Sequence, residues 1–133
     1  MVSEPQNQVL LKDVAQVAFT VRNLAEAKTF YRDVLELQFL FEAGTMAFFQ
    51  CGSVRLMIGE AEKPSISEAT IVYFRVADIG AAAHSLRSRG TSFVQPPHLV
   101  ARMKSHDLWM AFLKDPAGNT LGLMSEVART QVD

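Results

Sequence analysis

An α+β fold made of two βαβββ units in tandem is what this sequence predicts, and three observations predict it. A strand-then-helix pattern occurs twice with matching apolar positions. Short apolar stretches follow each copy, and a polar stretch carrying Pro64 and Ser65 lies between the copies. The chain has 133 residues, 49% of them hydrophobic, which suits one domain with one core and argues against disorder.

The elements follow in order. Residues 1–12 are polar, carry Pro5 and read as an N-terminal arm, leaving a single domain over 13–127 and a tail over 128–133. Val17, Phe19 and Val21 alternate with Gln16, Ala18 and Thr20, the period-two signature of a half-buried strand. Asn23 with Glu26 three residues on predicts a helix cap with a reciprocal carboxylate. Leu24, Ala27, Phe30, Tyr31, Val34 and Leu35 then fall at helical spacing. Apolar stretches at 38–43, 46–51 and 54–59 predict three strands, with Gly44 and Gly52 at the turns between them. Unit one thus covers 13–60, a linker 61–69, and unit two 70–127.

Unit two restarts the pattern. Val72, Phe74 and Val76 alternate with Ile71, Tyr73 and Arg75; Asp78 can cap a helix running to about Arg89, and Gly90 can end it. Strands are expected near 92–95, 108–114 and 120–126, with 96–109 an inserted loop. Val17, Phe19, Val21, Leu24 and Ala27 correspond to Val72, Phe74, Val76, Ile79 and Ala82, each 55 positions later. Two copies are too few for a solenoid, so the units must bury their faces against each other. The expected result is two curved mixed sheets around a shared cleft, helices outside.

Strand phase predicts the cleft wall. Gln16, Ala18 and Thr20 should face it from unit one, and Ile71, Tyr73 and Arg75 from unit two. Gly122, Met124, Leu56 and Ile58 should join them, with Phe49 and Trp109 as wall aromatics. Such a wall is mostly apolar with a few polar groups, the usual form of a small-ligand site. Arg75 would clamp a ligand carboxylate or phosphate, or else pair internally with an acidic side chain. His98, Arg102 and His106 lie in the expected loop. His106 is a candidate general base, as is Glu60, against the plainer reading that both are solvated. Glu126, at the place equivalent to Glu60, reads as a solvated strand end. The lone Cys51 reads as a packing thiol.

A formal net charge of -1 offers no field for nucleic acid or an anionic membrane, and no apolar run approaches the ~20 residues of a membrane span. MVSEPQNQ lacks the pattern of a signal peptide, so a cytoplasmic location is expected. No P-loop, dinucleotide glycine pattern, zinc-finger spacing or nucleophile elbow is present.

The segment NLAEAKTFYRDVLEL, the hairpin FLKDPAGNTLGLM and the duplication together resemble the vicinal oxygen chelate superfamily of glyoxalases, bleomycin resistance proteins and extradiol dioxygenases. The resemblance covers about 14–126 and implies a small-molecule ligand and a homodimer; Arg75 and the wall aromatics suggest that the ligand is anionic or aromatic. It also implies metal ligands at positions that here are Gln16, Leu56, Ile71 and Gly122. Of these only Gln16 carries a donor, and a lone amide oxygen is a weak one. The expectation is therefore a small-molecule-binding protein with no cofactor. Two alternatives stay open. One is a metal-dependent lyase or dioxygenase-like enzyme using an unconventional set such as Gln16, His98, His106 and Glu60. The other is a metal-free enzyme with a His or Glu base.

Overall fold

A computed structural model describes residues 9–129 of the chain. Unit one holds strand β1 (Gln16–Val21), helix α1 (Leu24–Thr29) continued by a π-helical turn (Phe30–Val34), and strands β2 (Gln38–Ala43), β3 (Met46–Cys51) and β4 (Val54–Glu60). Unit two holds β5 (Val72–Arg75), α2 (Ile79–Ser88), β6 (Phe93–Arg102), β7 (His106–Lys114) and β8 (Thr120–Ala128). Each unit forms its own four-stranded mixed sheet, ordered β1-β4-β3-β2 and β5-β8-β7-β6. In both, the first strand runs parallel to the last and the other pairs are antiparallel. The duplication read from the sequence is thus a duplication of topology.

Local chemistry explains the helix ends. Asn23 caps α1 by accepting from the Glu26 amide at 3.0 Å. The carboxylate that reaches the first turn is Glu60 at the end of β4, which accepts from the Leu24 amide at 3.0 Å; Glu26 was expected in a reciprocal role. Asp78 caps α2 by accepting from the Ala81 amide at 3.0 Å. Gly90, at φ 92°, turns the chain out of that helix while the Thr91 amide returns to the Leu86 carbonyl. The π-helical turn, marked by the Leu35 amide donating to the Phe30 carbonyl at 2.9 Å, rotates two consecutive aromatics inward. Phe30 and Tyr31 are both buried, edge to face at 5.2 Å.

The helix-side faces of the two sheets merge into one core. Phe19, Val21, Leu56 and Ile58 from unit one join Ile79, Leu86, Leu113 and Leu121 from unit two. A buried polar knot ties the units together at the β7–β8 turn. The Asp115 carboxylate accepts from the Tyr31 hydroxyl (2.7 Å), the Asn119 side-chain amide (2.9 Å) and the backbone amides of Ala117 (3.0 Å) and Asn119 (2.8 Å). Asn119 itself donates to the Thr20 carbonyl and accepts from the Ser67 amide. The turn is therefore an anchor between units as well as a reversal of the chain, and its buried polar atoms are satisfied.

The expected loop over 96–109 is overturned. β6 and β7 continue as a long antiparallel ribbon whose turn is only 103–105. Pro96 and Pro97 suggested a break, but β6 is an edge strand, where a missing amide hydrogen costs no ladder bond, and register shifts absorb the irregularity. Arg129, placed in the expected tail, fastens the ribbon's tip: its guanidinium donates to the carbonyls of Met103, Lys104 and His106 and pairs with Asp107.

Candidate functional site

With the helix-side faces buried, the opposite faces of both sheets remain open. Residues paired across neighbouring strands share a face, so register assigns each side chain. On sheet two, Tyr73 pairs with Gly122 and Arg75 with Met124, while Phe112 and Met110 continue the same face on β7 and His98 continues it on β6. Tyr73, Arg75, Gly122 and Met124 thus share the open face of sheet two. Tyr73, Arg75 and Met124 line a cleft of about 520 Å³ along the seam between units, floored by Val17 and Leu56, with Cys51 at its edge. Burial pushes the Cys51 thiol up from its ordinary value, which keeps it protonated.

Arg75 is not buried: 72% of its side chain is exposed, and its Nη2 lies 3.4 Å from Glu126 Oε1. The other oxygen of Glu126 lies 3.0 Å from His106 Nε2. The structure thus brings Arg75, Glu126 and His106 together at the end of the open face. Glu126 was read as a solvated strand end, yet it shares parity with Gly122 and Met124, and that parity could have found it. His98 lies on the same face, but its Nδ1 is 2.8 Å from the Pro96 carbonyl and it does not join His106.

Several expected wall residues point the other way. Phe49 is fully buried against Tyr31 and Phe39, on the helix side. Its neighbour Phe48 takes the open face, stacked on Phe41 at 4.5 Å. Gln50, two residues on from Phe48, carried that signal. Trp109 pairs with the buried Ser125 and packs beside Ile79 and Pro97 near the start of α2, on the helix side of sheet two; Arg102, paired with Asp107, shares its parity. Glu60 caps α1, as above, and so also faces the helix side. Leu56 and Ile58, 2% and 0% exposed, pair with Val17 and Phe19 on the helix side, and of the two Leu56 reaches the seam cleft, as part of its floor. The open-face residues of β4 are instead Arg55, Met57 and Gly59. A polar Arg55 in an otherwise apolar run was the available signal.

That shift matters for Gln16. It pairs with Arg55, and the guanidinium Nε donates to Gln16 Oε1 at 2.8 Å. Arg55 also lies over the Phe48 ring, 5.4 Å from its centre. The one donor among the four implied metal positions is therefore engaged by a cation. At Gly122 the space for a side chain is filled: a Cβ there would lie 2.5 Å from Tyr73 Cδ2 and 2.8 Å from Cε2. Leu56 is core and Ile71 has no donor. Among the described residues, no three His, Cys, Asp or Glu side chains converge as a metal site requires. The residues present at these positions do not fit a divalent ion. No helix among the described residues is long and apolar enough to cross a membrane.

Comparison with known proteins agrees with this architecture. The metallothiol transferase FosB of Staphylococcus haemolyticus is 31% identical over 68 residues, which is 51% of this chain and 49% of that protein. The FosB of Staphylococcus epidermidis aligns over the same shares, so the match spans about half the length of these curated relatives. Among solved structures, lactoylglutathione lyase from Agrobacterium tumefaciens superposes with a TM-score of 0.72 at 19% identity, covering 87% of this chain and 95% of that one. A superfamily member from Sphaerobacter thermophilus gives 0.73 at 19% identity, covering 89% and 100%. These likenesses show the fold. Residues 13–123 match the family model described as Glyoxalase/Bleomycin resistance protein/Dioxygenase superfamily, and the chain belongs to that superfamily.

Proposed function

We propose that this chain is a metal-independent small-molecule-binding protein, similar in role to the bleomycin resistance proteins, with its open sheet faces as ligand walls. The carrying observation is the Arg55–Gln16 contact. A guanidinium seated on the one available donor repels a divalent cation and offers hydrogen-bond donors where a metal would need acceptors. The relatives named metallothiol transferases make metal-dependent transfer the reading to exclude. Elemental analysis of the purified chain, with and without chelator, tests it. We expect no stoichiometric divalent metal and no change in thermal midpoint on adding zinc, manganese or magnesium. Metal near one per chain, removed by chelator together with ligand affinity, would overturn the proposal.

A homodimer belongs to the same reading. Exposed apolar side chains on the sheets, including Phe41, Tyr73, Leu99 and Val127, support it, and sedimentation tests it. A cytoplasmic location also stays part of the proposal, supported by a lone cysteine.

One observation favours a second reading. Glu126 orients the His106 imidazole while Arg75 flanks the same carboxylate, an arrangement that can hold a base beside a cation without any metal. Turnover lost in a His106→Ala variant with ligand affinity retained would favour this enzyme reading over pure binding.

A further inference from the structure

The open face of sheet one carries a single charged side chain among its strand residues. Register places Gln16, Arg55, Met57, Phe48, Gln50 and Phe41 there, and only Arg55 is ionised. Among the described residues Arg55 joins no ion pair, in contrast to Arg75, Arg89 and Arg129. Its guanidinium is nevertheless fixed from two directions: Nε donates to Gln16 Oε1 at 2.8 Å, and the group lies over Phe48, which is stacked in turn on Phe41. The Nη1 and Nη2 groups have no acceptor among the described residues.

We propose that Arg55 is the ligand-anchoring cation of this protein, and that its ligand is a small organic anion pairing a carboxylate or phosphonate with an aromatic or apolar body. Arg55 is exposed, so water can serve its remaining donors, and an oxyanion is the ligand group that best replaces that water, because a planar guanidinium presents paired donors that match it. An arginine held in place beforehand loses less freedom on binding than a free one. The body of the ligand is set by the neighbours: the exposed Phe41 offers a ring face and Met57 apolar contact over the buried Phe48, and the amides of Gln16 and Gln50 are the polar remainder. Arg75, the residue that strand phase singles out in the sequence, has its charge already answered by Glu126. The inference rests on the metal-independent reading, since it gives Arg55 the place of positive charge on this face.

The test uses the full chain with benzoate, phenylphosphonate and neutral benzamide as probes, at millimolar concentration, followed by amide and arginine NMR shifts in chelator. Benzoate or phenylphosphonate should bind and shift Arg55 Nε, and which binds tighter identifies the oxyanion. Benzamide should bind roughly tenfold more weakly, as should either anion to Arg55→Met, whose stem still covers Phe48. Arg55→Lys, which retains the charge without the Nε contact, should fall between and guards against a folding defect in the methionine variant. Arg32→Met, on the π-helical turn and away from the cleft residues, should bind like the parent. Equal affinity of Arg55→Met and parent, benzamide binding as tightly as benzoate, or no binding of either anion would each overturn the inference. So would a change of sedimentation in Arg55→Met with no anion bound, since Arg55 would then serve contact between copies. Binding that needs added metal and ignores Arg55→Met overturns this inference and the metal-independent reading together. Binding that survives chelator but ignores Arg55→Met overturns this inference alone.

Discussion

The two units share strand order, parallel first-to-last pairing and capped helices, yet they distribute polarity in opposite ways. Unit one buries Phe19, Phe30, Tyr31 and Phe49 on the helix side, stacks Phe41 on Phe48 on its open face, and leaves that face with Arg55 as its one charged strand residue. Unit two likewise turns Phe74, Phe93 and Trp109 to the helix side, so the units differ on their open faces and at their turns. It carries a buried polar knot at its β7–β8 turn and, on its open face, the self-paired charges Arg75 and Glu126 with the His106 imidazole beside them. The contrast teaches that the repeated backbone is a scaffold whose side-chain parity is retained while the chemistry at matched positions diverges. Turns show it most clearly: unit one reverses between β3 and β4 over Gly52–Ser53, whereas unit two uses Asp115–Asn119 to grip unit one.

The largest test of that contrast is to cut the grip. Asp115→Ala leaves the Tyr31 hydroxyl, the Asn119 side chain and the Asn119 backbone amide buried without their acceptor, with the half-buried Ala117 amide beside them, and should cost roughly 3–5 kcal/mol in urea denaturation. An equivalent change at Ser53, in the matching turn of unit one, should cost less than about 0.5 kcal/mol. Equal losses at the two turns would abolish the asymmetry.

Next in size is the alkaline limb. Burial, reinforced by the neighbouring Asp115 charge and hydrogen bond, holds the Tyr31 pKa far above the ordinary tyrosine value. The folded state therefore retains a proton that the unfolded chain releases near pH ~10. The resulting stability is intact below that pH and declines as pH rises beyond it. Urea midpoints measured across this range should fall more steeply for the parent than for Tyr31→Phe. Below pH ~9 the variant should be less stable by about 1–2 kcal/mol for its lost hydrogen bond. Parallel pH profiles for the two proteins would remove Tyr31 from the account.

Smaller still is Gly122→Ala, which drives a methyl into the Tyr73 ring and should destabilise by about 1–2 kcal/mol, less than a core clash because Tyr73 is partly exposed and can turn aside. Tyr73→Ala in the same chain should recover most of the loss, and additivity in that double-mutant cycle would show that the ring does not occupy this space. Smallest is His106→Ala. Its partner Glu126 is 38% exposed, so the pair should contribute at most about 0.5 kcal/mol to stability in a thermal melt. A larger loss would make the open-face cluster of unit two a structural element comparable to the knot.

Much of the fold was legible. Alternation set the bounds of β1 to β4 closely, Asn23 and Asp78 marked the helix starts, and Gly90 marked a helix end. Side-chain parity was legible wherever polar residues interrupted the pattern, as at Gln16, Tyr73 and Arg75. It was misread at Leu56, Phe49 and Trp109, where adjacent apolar residues compete for the core and the deciding clue was a single polar neighbour, Arg55, Gln50 or Lys114. The ribbon of β6 and β7 was hidden because a proline pair looks the same in a loop as on a sheet edge.

Caps, alternation and glycine punctuation act between residues a few positions apart, and the sequence alone therefore settled the duplicated βαβββ order. Which side chains meet is a property of register and packing across tens of residues. Only the folded chain could bring Glu126 to Arg75 and His106, set Tyr31 on Asp115, and seat Arg55 on Gln16. In each case the energy lies in an encounter between distant segments, and neither partner's local sequence contains it.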